Sequence, residues 1–293
     1  MPRSSSRPGV LARAGRMSLA VIAVAAATAA ASSPTDTDFS PGRFTNPTRI
    51  DNRWSPLVPG TQFVYTGRAN RGDGRRPHVV IFTVTDLTKV IDGVRTRVLW
   101  DRDINAGILR EGELAFHAQD DDGNLWNFGE YPEEYKNGRF AGAPDTWLSG
   151  VSGARAGILM RGAPHAGTPS YLQGWAPDIG FADRARVSRT GQKLCVPRRC
   201  YANVLVTDEW NPDEPGQHQL KYYAPHVGNV AVGAAGGDEH EVLHLDRVRK
   251  LGPGAMAFVR REARKLDRRG YRERGDVYGG APPVERDATG AAP

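Results

Sequence analysis

Val94-Arg-Thr-Arg-Val-Leu-Trp100 places Val94, Thr96, Val98 and Trp100 on one side of an extended chain and Arg95 and Arg97 on the other. That two-residue period is the mark of a half-buried strand. The preceding run, Val79 to Ile91, is rich in Val, Ile, Thr and Phe, and Asp92-Gly93 stands between the two. Asp-Gly between two such runs is a strong hairpin signal, because a two-residue turn needs residues that tolerate positive φ. A second hairpin follows the same logic. Leu114, Phe116 and Ala118 share one face, and Asp120-Asp121-Asp122-Gly123-Asn124 turns the chain into Leu125-Trp-Asn-Phe128.

Working outward, strands resume at 203–207, 220–224 and 227–232. Before them, residues 138–183 are dominated by Gly, Pro, Ala and Ser. A segment of that length without regular structure is either functional or a packed irregular layer. Glycine (34) and proline (21) make up about 19% of the 293 residues, above the usual share of about 12%. The expected fold is therefore mainly β: an antiparallel, strongly curved sheet or partial barrel over residues 54–246. From Pro253 to Gly270 the period changes. Met256, Val259, Ala263 and Leu266 share a helical face, and Arg260, Arg261, Arg264, Lys265, Arg268 and Arg269 cover much of the rest, which predicts a basic amphipathic helix over 253–270. Residues 32–53 read as a flexible lead and 271–293 as a disordered tail.

The net charge of +6 divides unevenly. Residues 1–16 carry +4, residues 17–246 carry −4 and residues 247–293 carry +6. The acidic body offers no basic face for nucleic acid. Arg3, Arg7, Arg13 and Arg16 precede the apolar run Leu19 to Ala31, so residues 1–31 read as a Sec-type signal peptide and the protein as secreted or extracytoplasmic. No later apolar run is long enough to form a membrane-spanning helix. In an oxidising compartment Cys195 and Cys200, bracketing Val-Pro-Arg-Arg, are expected to form a local disulfide.

Phe116 to Glu130, Trp147 to Met160 and Lys221 to Val230 resemble an uncharacterised group of secreted or periplasmic β-rich bacterial proteins, mostly actinobacterial. The resemblance covers most of residues 54–246. It implies a curved, half-open sheet outside the cytoplasm and brings no catalytic residues with it.

The strongest chemical motif is His240-Glu241-Val-Leu-His244, the His-Glu-x-x-His pattern of zinc proteases. That chemistry needs a helix, which stacks the two histidines one turn apart with the Glu beside the bound water. On a strand the histidines would stand about 13 Å apart, too far for one ion. The resemblance makes this segment a closing strand, so the expected metal set is none, with His240, His244 and catalytic Glu241 as the alternative. Asp120 to Asn124 lacks the alternating ligands of a calcium loop and reads as a turn. Glu111/Glu113 and Glu133/Glu134 read as solvated carboxylates, since proximity in sequence does not set a separation across a cleft. Among the aromatic residues, Trp147, Tyr171 and Trp175 lie in the irregular segment and are the candidate ligand contacts.

The expected function is non-catalytic binding of an extracytoplasmic ligand or cell-envelope component, with no cofactor. The rival readings are a zinc hydrolase and an envelope protein held to an anionic surface by the basic helix.

Overall fold

The computed structural model describes residues 39–70, 74–214, 216–236 and 240–287, so the expected signal peptide lies outside the described residues. In chain order the strands are β1 (Thr61–Asn70), β2 (Arg75–Ile91), β3 (Val94–Asn105), β4 (Ile108–Gln119), β5 (Leu125–Lys136), β6 (Arg139–Gly142), β7 (Trp147–Leu148), β8 (Arg155–Met160), β9 (Tyr171–Leu172), β10 (Gly174–Trp175), β11 (Arg184–Val196), β12 (Arg199–Trp210), β13 (His218–Ala224), β14 (Gly228–Ala234) and β15 (Val242–Lys250). Two helices, α1 (Pro253–Glu273) and α2 (Gly275–Tyr278), and a last strand, β16 (Glu285–Arg286), follow.

The strands form one antiparallel sheet in the order β10-β8-β5-β4-β3-β2-β1-β15-β14-β13-β12-β11-β9, with β6 and β7 on β5 and β16 on β2. The hairpins explain most of this order. At the β2–β3 turn Asp92 has φ 49° and Gly93 φ 77°, and Ala106-Gly107 and Asn137-Gly138 repeat the pattern at the next two-residue turns. Positive φ at both central residues matches the twist of the flanking strands, so each turn sets the register beyond it. The Asp120 carboxylate holds the β4–β5 turn by accepting bonds from the Asp122 and Asn124 amides and from Trp126 Nε1 at 2.8–3.0 Å. Cys195 and Cys200 are register partners near the β11–β12 tip and form the expected disulfide.

The two edges of the sheet are neighbours in sequence. β9 pairs with β11 and β10 pairs with β8, with Gln173 alone between them. Residues 171–175 thus stitch the edges of the curled sheet together, which is what the glycine-rich segment contributes. Close approach at the stitch requires glycine: a Cβ on Gly157 would lie 2.4 Å from the Gly174 amide nitrogen.

Two apolar layers result. The outer one joins Leu87, Val98, Trp100, Leu114, Phe116 and Phe128 to Val259, Ala263 and Leu266 of α1. The inner one includes Phe63, Tyr65, Val80, Leu99, Leu205, Tyr223 and Leu243. The basic helix is docked, and not only by its apolar stripe. Arg260 pairs with Asp86 at 2.6 Å, and Arg269 pairs with buried Glu133 at 2.5 Å. Lys89, fully buried, meets Asp267 Oδ1 at 3.0 Å, the Tyr271 hydroxyl at 3.0 Å and the Pro282 carbonyl at 2.8 Å. Its own burial lowers the Lys89 pKa, and Asp267 opposes that shift.

Both ends differ from the sequence reading. In the lead, Phe39 and Phe44 pack against Trp126 and Phe128 with centroids 5.5–6.0 Å apart. Buried Asn52 donates to the Gly123 carbonyl at 2.8 Å. Residues 271–287 continue α1, turn through α2 and end in β16, burying Val277, Tyr278, Ala281 and Val284. A few well-placed aromatic and aliphatic side chains are enough when a complementary surface already exists, and low average hydropathy hides them.

Candidate ligand-binding cavity

Alternate residues of the strands point into the curl. β3 contributes Leu99, Asp101 and Asp103, while β4 contributes Glu111 and His117 and β5 contributes Leu125, Asn127 and Glu130. From across the curl come Glu209 on β12, Gln219, Lys221 and Tyr223 on β13, Glu241 just before β15 and Leu243 within it. The stitched segment and the turn after it add Gln173, Phe181 and Asp183. Together these residues enclose about 250 Å³, room for about eight waters or a small organic molecule.

The lining is an apolar floor, with Phe63, Tyr65, Phe82, Leu125 and Met160, under seven carboxyl groups. Lys221 is the one cationic side chain of the lining, and His117 adds an imidazole. The carboxylates are held in place. Lys221 Nζ lies 2.7 Å from Glu209 Oε2, and the Thr207 hydroxyl donates to Glu209 Oε1 at 2.8 Å. Asn127 donates to Glu130 at 2.9 Å, and Gln219 donates to Glu241 Oε2 at 2.9 Å.

Burial, reinforced by Glu130, pushes the Asp183 carboxyl well above the ordinary carboxylate range, with Lys221 pulling the other way. Its Oδ1 is buried without a hydrogen-bond partner. The folded state therefore retains a proton that the unfolded chain releases, so stability falls as pH rises from the ordinary carboxylate range toward the raised pKa. Asp183→Asn removes this dependence. We expect its Tm to match wild type in acid and to exceed it at pH 8 by about 2–4 °C, on the order of 1 kcal/mol. Parallel Tm–pH curves for the two proteins would refute the assignment.

The residues singled out from sequence fall elsewhere. Trp147 is buried with its ring centroid 5.1 Å from that of Phe181, and Tyr171 is fully buried under the Arg161 guanidinium. Trp175 is half-buried beside Arg155. The three do not form an exposed platform. His240 and Glu241 precede β15, and His244 lies within it, paired with Thr66 and Ala231. The segment lacks the helix that the protease geometry requires. Glu241 nevertheless reaches the cavity, where it meets His78 rather than either histidine of its motif: His78 Nε2 is 2.8 Å from Glu241 Oε1.

Sequence reasoning missed Asp101, Asp103, Glu130, Asp183, Glu209 and His78. A weak signal existed in the acids at 101 and 103 and at 111 and 113, which alternate along consecutive strands. On an open sheet that pattern describes a wet face.

No family model matches the chain, and no curated protein matches it. Among solved structures, a Bacteroides fragilis protein assigned as exported, with a YmcC-like fold, is similar at 13% identity and a TM-score of 0.35 over 68% of this chain and 100% of that one. A Parabacteroides distasonis protein assigned as a lipoprotein is similar at 11% identity and a TM-score of 0.36 over the same shares. Likenesses this loose bear on neither the activity nor the location of this chain.

Proposed function

We propose that this is an exported, non-catalytic binding protein that takes a small cationic molecule, an organic amine, into the curl of its sheet. The observation that carries the reading is the lining itself: six carboxylates, beside an Asp183 that burial keeps protonated, against one lysine and one histidine, set over an apolar floor. Charged groups confined within low-dielectric walls attract an opposite charge more strongly than the same groups in water. An ammonium group among the acids, with its carbon skeleton on Phe63, Phe82 and Leu125, satisfies both parts of the surface. The exposed Arg264, Arg268 and Arg272 of α1 would add contact with an anionic envelope surface.

Calorimetry in the presence of a chelator tests the reading with putrescine, choline and a neutral polyol of similar size. The amines should bind with micromolar to millimolar affinity, more weakly at high salt, and the polyol should not. Glu130→Gln should weaken amine binding by about ten-fold, the equivalent of one lost charge-assisted bond. Equal affinity for amine and polyol, or no binding of either, would sink the proposal.

A further inference from the structure

The acidic cavity has one corner of different chemistry. His78, on β2, is 1% exposed. Both of its ring nitrogens face carboxylates: Nε2 stands 2.8 Å from Glu241 Oε1 and Nδ1 stands 3.4 Å from Asp103 Oδ1. Nδ1 makes no hydrogen bond. One ligating atom from each of the three residues lies within 4.8 Å of the other two.

The fold brings them together across β1. Gly67 on β1 is the register partner of His78 on one side and of Leu243 on the other. A Cβ at Gly67 would fall 1.8 Å from the Val242 carbonyl oxygen, so only glycine admits the start of β15 this close. That approach lets Glu241 reach over to His78. Asp103 and Glu241 also line the cavity.

A neutral imidazole donates from one nitrogen and presents a lone pair at the other. With a carboxylate facing each nitrogen, the nitrogen that carries no hydrogen turns its lone pair toward an acid, an arrangement that a cation between the two relieves. One imidazole and two carboxylates are a donor set that suits a divalent ion. We propose that His78, Asp103 and Glu241 bind a divalent first-row transition ion, Zn²⁺ or Mn²⁺, whose remaining coordination positions open onto the cavity. The mixed nitrogen and oxygen donors suit these ions, and three protein ligands with an open position are the arrangement of sites that exchange water for a ligand. The sequence-based expectation of no metal weighed the His240-Glu241-x-x-His244 motif for zinc and Asp120 to Asn124 for calcium, and neither includes His78. This site shares Glu241 with that motif and neither of its histidines.

The inference does not depend on amine binding, because its test uses the metal alone. Chelator-stripped protein is titrated with Zn²⁺ and with Mn²⁺ by calorimetry, and bound metal is measured after gel filtration. Wild type and the His240→Ala/His244→Ala double variant should each retain one equivalent of at least one of the two ions. Glu241→Gln and Asp103→Asn, which keep shape and remove charge, should each lose at least about ten-fold in affinity, with far-UV circular dichroism confirming the fold. His78→Ala should retain none. The proposal fails if wild type binds neither ion, if the folded Gln and Asn variants bind undiminished, or if the double variant loses its metal.

Discussion

Asp267→Ala is expected to cost about 3–5 kcal/mol of stability, because it strands a buried ammonium. Lys89 is fully buried between α1 and the sheet, and Asp267, 2% exposed, is its only carboxylate among the described residues' ion pairs. The Asp267 Oδ2 atom also accepts the Val284 amide at 3.2 Å, so one side chain ties together sheet, helix and tail. The pH dependence distinguishes this mechanism from simple loss of packing. Asp267 raises a Lys89 pKa that burial has already lowered, so removing it lowers the folded-state value further. The unfolded chain then binds more protons than the folded one over the interval up to the ordinary lysine pKa, and stability rises with pH there. The deficit of the variant, measured by urea denaturation, should shrink as pH is raised toward 10. A constant deficit, or one below about 1 kcal/mol, would show that Lys89 does not depend on Asp267.

Tyr278→Ala should be comparably severe, again about 3–5 kcal/mol, through the cavity it leaves. The ring is fully buried, 5.0 Å from Tyr131, 5.2 Å from Tyr271 and 6.4 Å from Phe116 between centroids, and 4.4 Å from the Lys89 ammonium. Gly270 provides the room, since a Cβ there would sit 2.5 Å from the Tyr278 ring. The hydroxyl contributes little: it is buried without a hydrogen-bond partner, and its burial pushes the pKa far up, so it stays neutral. Tyr278→Phe should therefore equal or exceed wild type in stability. Chemical denaturation of the two variants side by side decides the matter. A small effect of Tyr278→Ala would restore the sequence reading of 271–293 as a disordered tail.

The fit between helix and sheet follows from the charge division along the chain. The acidic body presents Asp86 and Glu133 where the basic helix presents Arg260 and Arg269. Burial raises the Glu133 pKa, while Tyr135 and Arg269 counter it. An arginine that is always charged is the partner that favours the ionised form of such a carboxylate. The unequal distribution of charge along the sequence is thus in part an internal complementarity. The arginines left exposed on the outer face of α1 remain available for a surface.

By itself, the sequence determined what depends on neighbours a few residues apart. The Asp92-Gly93 hairpin, the Asp120-centred turn, the Cys195–Cys200 bridge across adjacent strands and the buried stripe of α1 are all specified within short windows. There the backbone conformation follows from turn chemistry and period alone. Tertiary structure decided everything that needs distant chain segments to meet. The stitch at 171–175 carries no local strand signal, because its order comes from two sheet edges arriving on either side. The tail is ordered by a groove that exists only once β2, β4 and β5 are assembled. The candidate sites are of the same kind. Asp101 and Asp103 read as ordinary wet-face acids until the curl places Glu209 and Lys221 opposite them. Glu241 lies three residues from His244, yet its partner is His78, 163 positions away. An extended chain carries side chains three or four residues apart to separate places, whereas pairing β15 and β2 with β1 brings remote ones within bonding distance.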